Sequence, residues 1–176
     1  MRTNEKTRKI CTLAMLIAIS FILNSIAIRI GAGIKISFKF LSVFLSASLF
    51  GPLCGGICGA LADILSYFLN PGSGMFMPMI TLVEFMYGFM YGIFFYKRGS
   101  VTKENIVRLI ICVLLNTVVF SIFSMSLFLK DLMGFSYIQM VIYRIPSSFV
   151  NMLINFICIL ILLKYIPQLK KLSGVK

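Results

Sequence analysis

The sequence has no histidine, no tryptophan and only five acidic residues. Without histidine it holds no Ser-His-Asp triad and no HExxH zinc site, and no GxSxG elbow is present either. It has no GxxxxGK[ST] phosphate loop, so any ATP-driven work has to come from a partner. Cys11, Cys54, Cys58, Cys112 and Cys158 show no CxxC spacing and sit in apolar runs. They read as small packing residues rather than metal ligands or disulfides. No cofactor is called for, and catalysis would have to rest on carboxylates alone.

What the chain does have is apolar length. Of its 176 residues, 60% are hydrophobic and 12% charged, and the mean hydropathy is +1.01. That composition belongs in a bilayer. A span needs about 20 apolar residues, which leaves room for a single integral domain over 1–176 and no soluble one. The net charge of +12 would suggest nucleic acid in a soluble protein. Here most basic residues flank apolar runs and mark a membrane edge, so no nucleic-acid partner is expected.

The pattern predicts an all-α integral membrane protein with six transmembrane helices, over about 10–29, 36–50, 52–69, 78–97, 106–129 and 136–164. The first span follows a basic flank and is expected to stay as an anchor rather than be cleaved. A turn is expected at Gly31 and Gly33, and another at NPGSG, residues 70–74. Twelve of 17 basic residues then fall on one side: Arg2, Lys6, Arg8, Lys9, Lys97, Arg98, Lys103, Arg108, Lys164, Lys170, Lys171 and Lys176. That bias puts both termini in the cytoplasm.

Lys39, Asp63, Glu84 and Arg144 remain near or within the apolar layer. Each costs on the order of 2.5–3.5 kcal/mol near a helix centre unless paired or solvated. At about 1.5 Å per residue, Asp63 and Glu84 both lie roughly 9 Å below the outer face, and Arg144 about 12 Å. Lys39 is shallower. The plain reading is an ion pair tying spans together. The functional reading is an outward-facing pocket whose arginine grips a carboxylate and whose acid accepts N–H donors from a flat heterocycle. Asn116, Asn151 and Asn155 are further polar candidates, although intramembrane asparagines often serve interhelical bonds. Gly55, Gly59 and Asp63 recur at intervals of four, a smooth stripe leading to the acid. Ala14 and Ala18 form a smaller stripe of the same kind.

Together, several segments resemble the substrate-binding (S) components of energy-coupling-factor vitamin transporters, within them the folate branch. They are AxxxA at Ala14/Ala18, IKISFKF (34–40), LFGPLCGGICGALADIL (49–65), NPGSGMF with Pro78, LLNT (114–117) and YRIP (143–146). The resemblance implies a six-helix bundle in a bacterial cell membrane that captures a vitamin from outside. It implies docking, through Ala14 and Ala18, on a transmembrane coupling protein carrying two ATPases. Asp63 would meet the pterin's donor edge, with Arg144 and Lys39 near anionic or carbonyl groups and Glu84 and Asn116 nearby. Folate-branch members place a tryptophan where this chain has Val119, so Phe120 or Phe123 would supply the aromatic surface.

Folate capture for an ATP-driven importer is therefore the expected function, and the protein is not expected to be an enzyme. The alternatives are an S component for riboflavin or pantothenate, an intramembrane enzyme using Asp63 and Glu84, and a purely structural subunit.

Overall fold

The computed structural model describes residues 2–26, 28–30, 34–69, 78–96, 98, 102–134 and 136–173. The expected turns at Gly31/Gly33 and at 70–74 lie outside these. Over residues 7–25 of helix α1 (Arg2–Ser25) only Leu16 and Ser20 turn fully inward, which leaves most of that stretch for lipid or a partner. It is followed by two short antiparallel strands, β1 (Ile28–Ile30) and β2 (Ile34–Ile36), with Arg29 opposite Lys35.

This hairpin corrects the expected boundaries of the first two spans. α1 stops at Ser25 rather than 29, and the next helix, α2 (Phe40–Phe50), starts at Phe40 rather than 36. The physical reason is IRI-GAG-IKI: isoleucines alternating with a charged residue on both sides of a glycine-rich sequence favour paired strands over a helix. With eleven residues, roughly 16 Å of helix, α2 is too short to cross the bilayer alone. It sits among α1, α3, α4 and α7 with Val43, Phe44 and Ala47 almost wholly enclosed, as a helix apolar on all sides must be. Two of its serines bond to backbone, Ser46 to the Cys54 carbonyl and Ser48 to that of Leu45.

Gly51 breaks α2 at φ +102°, a backbone conformation open chiefly to glycine. Pro52 then opens α3 (Pro52–Leu69), where its missing N–H costs nothing. α4 (Pro78–Phe95) packs against α3 at backbone distance. A Cβ on Gly55 would stand 2.5 Å from Ala47 Cβ and 2.7 Å from the Gly88 carbonyl oxygen. One on Gly59 would stand 2.6 Å from the Glu84 carbonyl, and one on Gly92 would strike the Pro52 backbone. The glycine stripe read in the sequence is thus the α3–α4 seam, extended by Gly88 and Gly92 on the facing helix.

The fifth span is composite: α5 (Lys103–Leu115), a π-helical segment (Asn116–Ser124) and α6 (Met125–Met133). Thr102 caps α5 by accepting from the Asn105 amide, and Gly134 ends α6 at φ +66°. The last helix, α7 (Tyr137–Ser173), continues nine residues past the expected limit at 164. Five segments, Thr7–Ser25, Pro52–Leu69, Pro78–Phe95, Lys103–Phe128 and Tyr137–Ile166, are long and apolar enough to cross a membrane, and α2 completes a six-segment bundle. Phe44, Tyr91, Phe95, Leu109, Cys112, Ile159 and Leu163 form its main apolar core. There Phe44 meets Tyr91 and Phe95 edge to face, with ring centroids 5.5 and 5.3 Å apart.

Gly88→Leu forces the α3–α4 seam apart and is expected to cost about 1–3 kcal/mol or more through overpacking. Leu53→Ala, at a 63% exposed position, should change stability by less than about 0.5 kcal/mol. Thermal unfolding of the two variants in detergent checks this, and equal melting temperatures would refute the seam's importance.

Candidate functional site

Lys39 follows the hairpin and sits at the mouth of α2. Its ammonium lies 2.8 Å from Glu84 Oε1 on α4, with both side chains largely enclosed at 12% and 18% exposure. The Gly59 contact at the Glu84 carbonyl fixes the height of that carboxylate. Arg144 enters from α7, half-buried and close enough to feel the charge of Glu84. Its Nε is buried without a hydrogen-bond partner, and it makes no ion pair among the described residues. The three groups line one hollow of about 200 Å³. Two cations and one acid leave that hollow with a surplus positive charge.

Asn24 of α1, Ser37 just ahead of α2 and Phe40 of α2 add to the wall, and three further helices supply most of the rest. From α4 comes Tyr87, one turn below Glu84, and from the fifth span Thr117, Phe120, Ser121 and Met125. α7 presents Arg144, Ser148, Asn151 and Asn155, spaced four, three and four residues apart so that they share one helix face. Ser121 and Ser148 pair across the gap at 3.1 Å, and the Asn155 amide donates to the Tyr87 hydroxyl at 2.9 Å. At the outer end Ser37 donates to Asn24, which donates to Ser66.

The π-helix is what brings the fifth span's side chains round to the hollow. Its i→i+5 backbone bonding inserts extra backbone per turn, and the Ser124 hydroxyl separately donates to the Val119 carbonyl. Such segments are rare and concentrate at functional sites. No simple sequence signal announces one.

Of the residues singled out in the sequence, Lys39, Glu84, Arg144 and Phe120 line the hollow, as do Asn151 and Asn155. Asn116 is buried just behind the wall, its amide directed at Cys112 Sγ at 3.7 Å. Asp63 does not line it. Its carboxylate accepts from Thr81 Oγ1 at 2.9 Å, bracing α3 to α4. The depth estimate put Asp63 level with Glu84, but depth carries no azimuth. Gly55, Gly59 and Ala62 hold the inward face of α3, and Asp63 falls on its flank. Ala14 and Ala18 are exposed on α1, away from the hollow. Tyr87, Thr117, Ser121 and Ser148 went unread. The polar stripe 144, 148, 151, 155 on an otherwise apolar helix is the signal that finds Ser148.

The family described as ECF transporter, substrate-specific component, matches residues 8–163. The chain belongs to this family. As an S component it is an integral membrane protein and one part of a larger transporter. It is similar to a crystal structure of FolT bound with folic acid, at 31% identity over 86% of this chain and 89% of that one, with a TM-score of 0.75. It is also similar to the S component of a bacterial ECF transporter, at 26% identity over 96% and 97% of the two chains, with a TM-score of 0.63. No curated protein matches it in sequence.

The surplus charge makes the empty S component less stable than its packing alone would allow. Arg144→Met removes a half-buried cation that has no ion-pair partner, and should raise the melting temperature of the ligand-free protein by a few degrees. Glu84→Gln strands two cations together and should cost on the order of 3 kcal/mol, less whatever residual solvent recovers. Calorimetry on both variants decides, and a lower melting temperature for Arg144→Met would contradict the charge assignment.

Proposed function

We propose that this S component captures a folate from outside a bacterial cell and delivers it by docking on its transporter's coupling module. The observation that carries the reading is the guanidinium of Arg144, whose Nε is buried without a hydrogen-bond partner and which makes no ion pair among the described residues, facing the hollow beside the Lys39–Glu84 pair. An anionic group on the ligand neutralises it, and a folate brings carboxylates at one end and a flat donor-bearing heterocycle at the other. Similarity to FolT bound with folic acid supports the same ligand class.

In this reading Arg144 grips a carboxylate, with Lys39 close by, and a planar fork suits that task better than a point charge. Glu84, the one acid lining the hollow among the described residues, holds Lys39 in place and keeps a second oxygen for ligand N–H groups. Phe120 and Tyr87 supply aromatic wall. Asp63 and Asn116 support the site from behind, Asp63 through its bond to Thr81. Ala14 and Ala18, small and exposed on α1, suit close approach by a transmembrane coupling protein, with two ATPase subunits supplying the ATP hydrolysis. The hollow serves capture rather than catalysis, because Glu84, its single acid among the described residues, is already held by a lysine at 2.8 Å.

Titration of the purified protein with folic acid, riboflavin and pantothenate tests the reading. Folic acid should bind and the other two should not. Arg144→Met should weaken folic acid about 10- to 100-fold, the scale of a lost charge-assisted contact. Tight binding of riboflavin or pantothenate instead, or unchanged affinity in the variant, would overturn it.

A further inference from the structure

The hairpin brings together two cations that the site described above does not use. Arg29 on β1 stands directly opposite Lys35 on β2. Successive residues of a strand alternate between its two faces, so Ile28, Ile30, Ile34 and Ile36 share one face of the hairpin and Arg29 and Lys35 the other. Like charges placed directly opposite each other destabilise a strand pair. The sequence holds no acid between Glu5 and Asp63, so the hairpin cannot offset these charges from within. Nor do the two acids nearest the site stand idle. Glu84 is held by Lys39 at 2.8 Å, and Asp63 accepts from Thr81.

Both strands spring from the rim of the hollow. Asn24, near the end of α1, and Ser37, just past β2, line it, and the Ser37 hydroxyl donates to Asn24 Oδ1 at 3.3 Å. At about 3.3 Å per residue, Lys35 stands roughly 7 Å of chain from Ser37. That is within the ~8 Å over which charges act through physiological salt. β2 also packs against α7, the helix that carries Arg144. Among the described residues lining the hollow, Lys39 and Arg144 outnumber Glu84 by one. The hairpin adds two more cations at the rim, so the positive charge of the hollow continues along the chain that leaves it. A ligand tail with carboxylates beyond the first meets favourable charge there.

We propose that the hairpin is a collar for polyanionic tails, in which Arg29 and Lys35 are specificity-determining residues that favour folates carrying several linked glutamates over the monoglutamate. This rests on the folate reading above. Arg144 holds a first carboxylate, and the hairpin acts on those further along the tail. It therefore sorts ligands by the charge of the tail and is indifferent to the ring. The attraction is a field rather than a fixed contact, so salt weakens it.

Titration calorimetry on the full chain tests this by comparing folic acid with pteroyltriglutamate in about 0.1 and 1 M sodium chloride, where the screening length is about 10 and 3 Å. The wild-type protein should bind the triglutamate roughly three- to tenfold tighter at the lower salt, the scale of one or two exposed ion pairs. At the higher salt the preference should vanish. Arg29→Gln combined with Lys35→Gln should abolish it at either salt while leaving folic acid within about twofold. The charge-keeping pair Arg29→Lys and Lys35→Arg should retain it, which a merely structural role for the two side chains does not predict. If the double glutamine variant does not fold, Lys35→Gln alone should lose part of the preference, and that variant with the wild-type salt series carries the test. Equal affinity of the wild-type protein for the two compounds at the lower salt, or a preference that survives in the glutamine variants, would overturn the assignment and leave the two cations as an anchor at the membrane interface. If the wild-type protein binds neither compound, the folate reading itself is what fails.

Discussion

Helices in lipid gain little from hiding apolar surface, since the surrounding tails are as apolar as leucine; they associate by close fit and by hydrogen bonds. The α3–α4 seam is where this chain achieves its closest fit. Gly55, Gly59, Gly88 and Gly92 let two backbones touch, and α2, too short to hold its own place in a membrane, is wedged against both. The height of Glu84 follows from Gly59, the position of Lys39 from Glu84, and the outer rim of the hollow from Lys39. A contact with no chemistry of its own thus sets the geometry of the charges.

Those charges are deliberately out of balance in physical terms. A neutral lysine–glutamate pair would simply tie the hairpin junction to α4, the ordinary structural use of buried ions. Adding Arg144 without a second acid turns a strut into a site, because the cheapest way to settle the extra cation is to let an anion in. Binding energy and apo-state instability are then two views of one interaction, a common relation between function and stability.

Much of this was legible in the sequence, and the gaps have physical causes. Apolar length marked the helical bundle, since the bilayer alone sets how long a span must be. The stripe at Gly55 and Gly59 marked a tight seam as well. The hairpin was legible too, in the alternation of IRI and IKI, but hydropathy averages that alternation away. Asp63 shows the limit of arguing from depth: two acids at one level need not point into one space. The reach of Thr117 and Ser121 was not readable, because a π-helix changes which residues share a face.

That π-helix has a structural consequence for how such a scaffold changes. It amounts to one backbone unit more than an ordinary helix of the same rise would carry. Deleting a single residue between Asn116 and Ser124 would return the span to α register with α5 before it and α6 beyond it left in place, and would change only which residues of this stretch face the hollow. Phe120 and Ser121 would leave the wall and their neighbours would take their place. A one-codon loss in this stretch therefore redraws the chemical lining of the chamber without touching the seam that holds the bundle together.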